Sequence, residues 1–303
     1  MIKRTLNFSN PAYLSKKNNQ LLIKYPKNKD GEEPDSITVP IEDIGIIILE
    51  NPQITISHSL LSALLENNTA VVTSDKRHHP NGLFLNLDGN TLQSEKFNAQ
   101  INASIPLKKQ LWQQTITAKI KNQAALLKEK EIPVSNMLTW ARKVRSGDPD
   151  NFEARAAAYF WENIFIDIHD FKRGREEEAP NNLLNYGYAI LRAIVARSLV
   201  GSGLLPTLGI YHHNKYNAYC LADDIMEPYR PYVDRIVVEI VEKGEDFYEI
   251  SSSIKRQLLS IGTVDVVIDD KSSPLMVAMQ RTTASLARCF EGEARKILYP
   301  TIK

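Results

Sequence analysis

What the chain lacks sets the first limits. Its 303 residues include two cysteines, Cys220 and Cys289. That is too few for a disulfide framework, and their spacing is not that of a metal-binding pair, so reduced structural thiols are expected. Nowhere do about 18 apolar residues run uninterrupted, and MIKRTLNFSNPAYLS has no apolar run long enough for a secretion signal. A soluble cytoplasmic protein without membrane contact is the expectation. Net charge is nearly absent as well, at +1, so composition alone gives no sign of the basic excess common in nucleic-acid-binding proteins. No internal repeat or low-complexity tract stands out.

The 43% of hydrophobic residues can build one large core or two smaller ones. Up to about residue 95 the runs QLLIKY, ITVP, IGIIIL, AVVTS and GLFLNL read as strands, with one serine-capped helix at SHSLLSALLENN. KNKDGEEPD and HHPNG read as turns, the second carrying His78 and His79 in a solvated loop. From about residue 98 the period becomes helical. Leu111, Ile116, Ile120, Ala124 and Leu127 approximate one apolar face, and LLNYGYAILRAIVARSLVGSG reads as a long buried helix ended by glycines. No later stretch reads as sheet. The expected class is α+β: a small β-rich domain at 1–97, then a larger all-helical domain at 98–303.

Charge is unevenly distributed. Lys and Arg against Asp and Glu give 10 and 11 in residues 1–100, 9 and 2 in 101–146, and 18 and 23 in 147–303. The basic excess comprises Lys108, Lys109, Lys119, Lys121, Lys128, Lys130, Arg142, Lys143 and Arg145. It could hold a phosphate backbone with salt-sensitive affinity, or be a solvated helix face.

Directly after it comes GDPDNFEARAAAYFW, where Asp148 can cap a helix, Pro149 suits its first position, and Glu153 follows within two turns. A carboxylate beside so apolar a run needs a partner, either a cation such as Arg155 or a metal. GIYHHNKYNAY offers His212 or His213, whose side chains point different ways. Its Asn214 and Asn217 could orient the loop or meet substrate. LADDIMEPYRP puts Asp224 and Glu227 on one side of a helix, with Asp223 also one turn from Glu227. Pro228 and Pro231 should kink that helix beside its acids. One imidazole with hard carboxylates suits Mg²⁺ or Mn²⁺ better than zinc or copper, and such an ion suits phosphodiester chemistry. In NYGYAILR, the hydroxyls of Tyr186 and Tyr188 with Arg192 could stabilise a scissile phosphate, although the tyrosines have the spacing of core residues; Arg192 in so apolar a helix requires an anion, DNA or Glu153.

These segments, with NPAYLSKKNNQLLI, WQQTITAKIKNQAALL and CFEGEARKILYP, resemble the CRISPR-associated spacer-acquisition integrases, Cas one, in the branch that accompanies type II systems. The resemblance covers most of the chain. It implies that Glu153, in an E-x-x-A-A-x-Y-F pattern, His212, in G-I-x-H-x-N, and Glu227 are metal ligands, with Asp224 an acidic neighbour and Asn214, Asn217, Tyr188 and Arg192 around them. The implied activity is insertion of short DNA fragments as new spacers, a 3′ hydroxyl attacking a phosphodiester at the edge of the CRISPR repeat. The implied partners are DNA, a second copy joined through the β domains, the small companion Cas two, and the type II effector nuclease. The rival readings are a metal nuclease for branched DNA and a noncatalytic DNA-binding scaffold.

Overall fold

The computed structural model describes residues 3–27, 34–76, 80–168, 170–174 and 178–302. The chain divides into two compact units, Met1–Thr91 and Leu92–Lys303. The turn carrying His78 and His79, and residues 28–33 of KNKDGEEPD, lie outside the described residues.

The first unit holds β1 (Arg4–Phe8), β2 (Tyr13–Lys17), β3 (Gln20–Lys24), β4 (Ile37–Pro40), β5 (Ile44–Leu49), β6 (Thr55–Ile56), α1 (His58–Glu66), β7 (Ala70–Ser74) and β8 (Pro80–Phe84). Two sheets form, in the orders β1-β5-β7-β8 and β4-β3-β2-β6. β5 pairs parallel with β1 and with β7. It therefore reads as the uninterrupted apolar run IGIIIL, with Ile46, Ile47 and Ile48 fully buried. β2 and β3 form a hairpin, turned by Asn18 and Asn19 at positive φ. Ser57 caps α1 by accepting from Leu60 N, as expected from the sequence.

One expectation needs correction here. Pro80, Asn81 and Gly82 were expected to make a tight turn, yet they begin β8, antiparallel to β7. Proline is tolerated there as the first residue of an edge strand.

The second unit opens with α2 (Gln93–Ile101), earlier than residue 98, and continues with α3 (Ile105–Glu129), α4 (Ser135–Lys143), α5 (Phe152–Ile164), α6 (Asn181–Gly201), α7 (Cys220–Met226) and α8 (Arg230–Glu242). Then come α9 (Ser252–Leu259), β9 (Asp265–Ile268), β10 (Lys271–Pro274) and α10 (Leu275–Phe290). Ser104 caps α3, a 25-residue helix that packs on α4, α5 and α8. All five residues expected on its apolar face are buried. α6 is long and apolar enough to cross a membrane, but 83% of its apolar window is buried inside the fold. Gly187 lets α8 approach it, since a Cβ there would lie 2.5 Å from Val233 Cγ1.

This unit is not all-helical. β9 and β10 pair antiparallel around Asp269 and Asp270, both at positive φ. Two four-residue strands are too short to show alternation, and VVI taken alone reads equally as helix. Aspartate tolerates the left-handed turn that joins them.

Candidate functional site

α3, α5, α7, the turn after α7 and the loop before it carry the predicted site residues. Asp148 caps α5, accepting from Phe152 N at 3.0 Å and Glu153 N at 2.9 Å. The helix starts at Phe152, so Pro149 lies before it rather than in its first turn. Glu153 consequently stands at the N-terminal end of α5, where a helix favours negative charge.

The expected kink beside the acids is a 3₁₀ turn, Glu227–Tyr229, between α7 and α8. Prolines 228 and 231 cannot donate to the carbonyls four residues back. Those carbonyls instead accept i→i+3 bonds, Glu227 N to Asp224 O and Arg230 N to Glu227 O. Asn122 of α3 donates to Pro228 O at 2.7 Å and ties the turn to α3. Glu227 is thereby held inward, 5% exposed.

Between the two glutamates lies Lys119. Its Nζ is 2.7 Å from Glu153 Oε1 and 2.7 Å from Glu227 Oε2, so the two carboxylate oxygens are no farther apart than twice that distance. Lys119 was expected to grip DNA from an exposed helix face. It is instead buried, on the side of α3 that faces α5 and the 3₁₀ turn. Glu153 pairs with it rather than with Arg155. Arg230 Nε takes the other Glu227 oxygen at 2.9 Å. Burial alone would raise the pKa of Glu227, but Arg230 and Lys119 outweigh it and pull the carboxyl down to about 2. Burial works against the Lys119 charge too, yet Glu227 and Glu153 hold its ammonium above the ordinary lysine value.

Asp224 builds the histidine loop. It is fully buried, its Oδ2 accepting from Ile210 N at 2.7 Å and Tyr211 N at 3.0 Å, its Oδ1 from His212 N at 3.3 Å. Oδ1 also lies 2.5 Å from His212 Nδ1. Since both Asp224 oxygens already accept backbone N–H bonds, the proton of that contact belongs to the imidazole, and in the neutral ring Nε2 keeps its lone pair. The hydrogen bond to Asp224 raises the His212 pKa. Burial opposes it, and the charges of Asp224, Glu227 and Glu153 add to it. Gly209 permits the wrap: a Cβ there would meet His212 O at 2.4 Å and Asp224 Oδ2 at 2.8 Å. Tyr211 stacks on Trp112 at 4.2 Å between centroids, with His212 edge-on to the same indole at 5.6 Å. Of the two histidines, His212 has the anchored geometry and His213 is exposed.

The chain matches the family model described as CRISPR associated protein Cas1 over residues 7–260. It belongs to the Cas1 family. The CRISPR-associated endonuclease Cas1 of Neisseria meningitidis serogroup C (strain 8013) is 37% identical, covering 100% of this chain and 97% of its own length. Among solved structures, a casposase bound to integration product aligns with TM-score 0.78 at 20% identity, over 98% of this chain and 92% of the casposase. A Cas6-RT-Cas1–Cas2 complex contains a chain that aligns with TM-score 0.74 at 19% identity, over 100% of this chain and 36% of that one. Both likenesses show the Cas1 fold.

Around this Cas1 site, Asp223 and Asp224 divide the work. Asp223 faces Arg192 Nε at 2.6 Å and Asn217 Nδ2 at 2.7 Å, so the anion that Arg192 requires is neither Glu153 nor necessarily DNA. Asn214 and Asn217 also hold the loop, accepting from Tyr216 N and Tyr219 N. Tyr186 and Tyr188 are core, as their spacing suggested. The Tyr188 hydroxyl donates to Asp234, and Arg230 lies over its ring at 4.5 Å. Burial lifts the Asp234 carboxyl to about 7 against the Tyr188 hydrogen bond and the Arg230 charge. Cys220 and Cys289 are free and buried.

The donors fit a hard divalent cation: two carboxylates and an imidazole Nε2. Glu153 and Glu227 already confine one positive charge between them. Among the described residues, however, no three His, Cys, Asp or Glu side chains are gathered closely enough to hold an ion as they stand.

Of the other basic residues, Lys109, Lys121, Arg142, Lys143 and Arg145 are exposed and Lys108 half-buried. Arg145 is engaged by Asp150 through Nε and Nη2, both at 3.0 Å. Lys121 lines a cavity of about 520 Å³ together with Arg295 and Lys296 of the C-terminal segment. Sequence reading missed that pairing, which only folding brings together. It also missed Arg230, although an arginine three residues after a buried glutamate is a signal for an ion pair.

Proposed function

We propose that the chain is a divalent-metal-dependent DNA integrase and endonuclease that inserts short DNA fragments into a CRISPR array. The observation that carries the reading is that Glu153 and Glu227 share one buried cation while the neighbouring Asp224 orients His212, in a chain of the Cas1 family. The endonuclease name of the 37% identical relative and the integration product bound to the casposase point to the same chemistry.

Glu153, Glu227 and His212 Nε2 would hold Mg²⁺ or Mn²⁺, which when bound supplies Lewis acidity at the phosphoryl oxygens and at the attacking and leaving oxygens. The chain's own residues do the rest. Asp224 fixes the imidazole, so that Nε2 and not Nδ1 is presented. Arg230 fixes one oxygen of Glu227, leaving the other to face the site. In the reaction a 3′ hydroxyl of the incoming fragment forms one phosphodiester bond while one bond of the repeat breaks, so the number of phosphodiesters is conserved and no covalent enzyme intermediate is required. Lys108, Lys109, Lys121, Arg142, Lys143 and Arg145 would hold DNA backbone, with salt-sensitive affinity.

The partners follow from the family: DNA, a second copy of the chain through the β-rich unit, and a Cas2-type companion, as in the Cas1–Cas2 assembly named above. The type II effector nuclease belongs to the same reading. The deciding assay combines duplex DNA bearing 3′ hydroxyls, a supercoiled CRISPR plasmid, the companion protein, and Mn²⁺ or chelator. Mn²⁺-dependent joining that Glu153→Ala and His212→Ala abolish is expected. DNA binding without joining would favour a scaffold, and cleavage of branched DNA without joining would favour a general nuclease.

A further inference from the structure

We propose that Lys119 is a built-in cation: its ammonium occupies the position between Glu153 and Glu227 and must swing out before Mg²⁺ or Mn²⁺ binds there. The inference rests on the metal-site reading above and adds a step to it.

The atoms make the competition direct. Lys119 Nζ contacts Glu153 Oε1 and Glu227 Oε2 at 2.7 Å each, while Arg230 already holds Glu227 Oε1. A metal bridging the two glutamates through their inward oxygens would need the same two atoms. An ammonium and a divalent cation repel, and carboxylates packed this closely with neither would repel each other. A positive charge between the two carboxylates offsets that repulsion, and Lys119 supplies it when no metal does. Its burial supports this role, because a lysine side chain only 11% exposed in mid-helix pays a desolvation cost that the two carboxylates offset.

The structure also provides somewhere to go. A cavity of about 330 Å³ adjoins Lys119 and Glu227; Gln123, Trp161, Tyr188 and Asp234 line it, and so do Arg173 and Arg230, so a departing ammonium has to settle on the Asp234 side, away from the two guanidinium groups. Asp234 is the carboxylate in that wall, and the four-carbon lysine stem is flexible enough to reorient. A Cas1 chain built this way stays folded without metal and loads metal only against its own side chain.

Two measurements on the full chain test this. In the first, Mn²⁺ binding is titrated by the loss of the free-ion electron paramagnetic resonance signal, using wild type, Lys119→Met, Lys119→Arg and Glu153→Ala. Lys119→Met should bind Mn²⁺ at least tenfold more tightly than wild type. Lys119→Arg, which keeps the charge, should not gain affinity, and Glu153→Ala should lose it. In the second, wild type is acetylated with and without saturating Mn²⁺ and Lys119 modification is read by peptide mass spectrometry. Lys119 should be protected without metal and become several-fold more reactive with it. The labelling also covers the case in which Lys119→Met fails to fold. If wild type binds Mn²⁺ through Glu153 but Lys119 stays equally protected, or Lys119→Met binds no more tightly, the competition is refuted and the metal site stands. If neither wild type nor Lys119→Met binds Mn²⁺ in a Glu153-dependent way, the metal site fails and the competition with it.

Discussion

Asp224→Asn changes one atom of the site and should disable it through a proton. Asp224 offers four acceptor contacts, to Ile210 N, Tyr211 N, His212 N and His212 Nδ1. An asparagine has a single oxygen, and it will face the shorter pair of backbone bonds, at 2.7 and 3.0 Å. Its NH₂ then points at His212 N and Nδ1. Two contacts to a buried charge are lost, at about 1.5 kcal/mol or more each, so the unit should lose roughly 3 kcal/mol. For a unit of this size that lowers the thermal midpoint by on the order of 10 °C. An amide facing Nδ1 makes that nitrogen an acceptor, which moves the imidazole proton to Nε2. The metal-facing lone pair disappears, and Mn²⁺ affinity should fall by roughly 10–100-fold. ¹⁵N spectra of histidine-labelled protein, assigned against His212→Gln, report the tautomer directly. With the raising influence of Asp224 removed, the His212 pKa should also drop. An unchanged tautomer together with an unchanged midpoint would refute the reasoning.

Two further perturbations probe the surroundings. Gly209→Ala places a methyl 2.4 Å from His212 O and 2.8 Å from Asp224 Oδ2. It should cost about 2 kcal/mol or more in urea unfolding and lower joining activity, whereas an unchanged midpoint would mean that the loop tolerates displacement. Asp234, raised by burial to about 7 from an ordinary 3.8, makes its full contribution to stability below about 3.8 and loses it as pH rises through 7. Over that window the loss is at most about 4 kcal/mol. Asp234→Asn removes the titration, so its stability relative to wild type should improve between pH 5 and pH 8, and a constant gap at both pH values would contradict the burial argument.

The elements legible in the sequence were those whose pattern is local. IGIIIL is buried on both faces and so is continuously apolar, Ser57 sits directly before its helix, and α3 repeats its apolar residues over many turns. β1, β2, β6 and α2 passed unnoticed. β6 is two residues long, and the polar helix QSEKFNAQI buries little beyond Gln100, which caps a distant loop through Leu205 O and Leu208 O. The β9–β10 hairpin escaped for the same reason, being too short to show a period. At the site, residue type and motif singled out Glu153, His212, Asp224 and Glu227. Lys119 was misjudged because nine basic residues in one stretch look alike in sequence. Only the facing of α3 toward α5 and the 3₁₀ turn separates the one that points inward from those on the surface.

The most direct measurement is anomalous diffraction at the manganese edge from crystals of the full chain grown with Mn²⁺. The expected result is a single peak in this site, ligated by Glu153, Glu227 and His212 Nε2, with Lys119 turned into the adjoining cavity. A peak elsewhere, or a bound ion that leaves these three side chains unligated, would contradict the account.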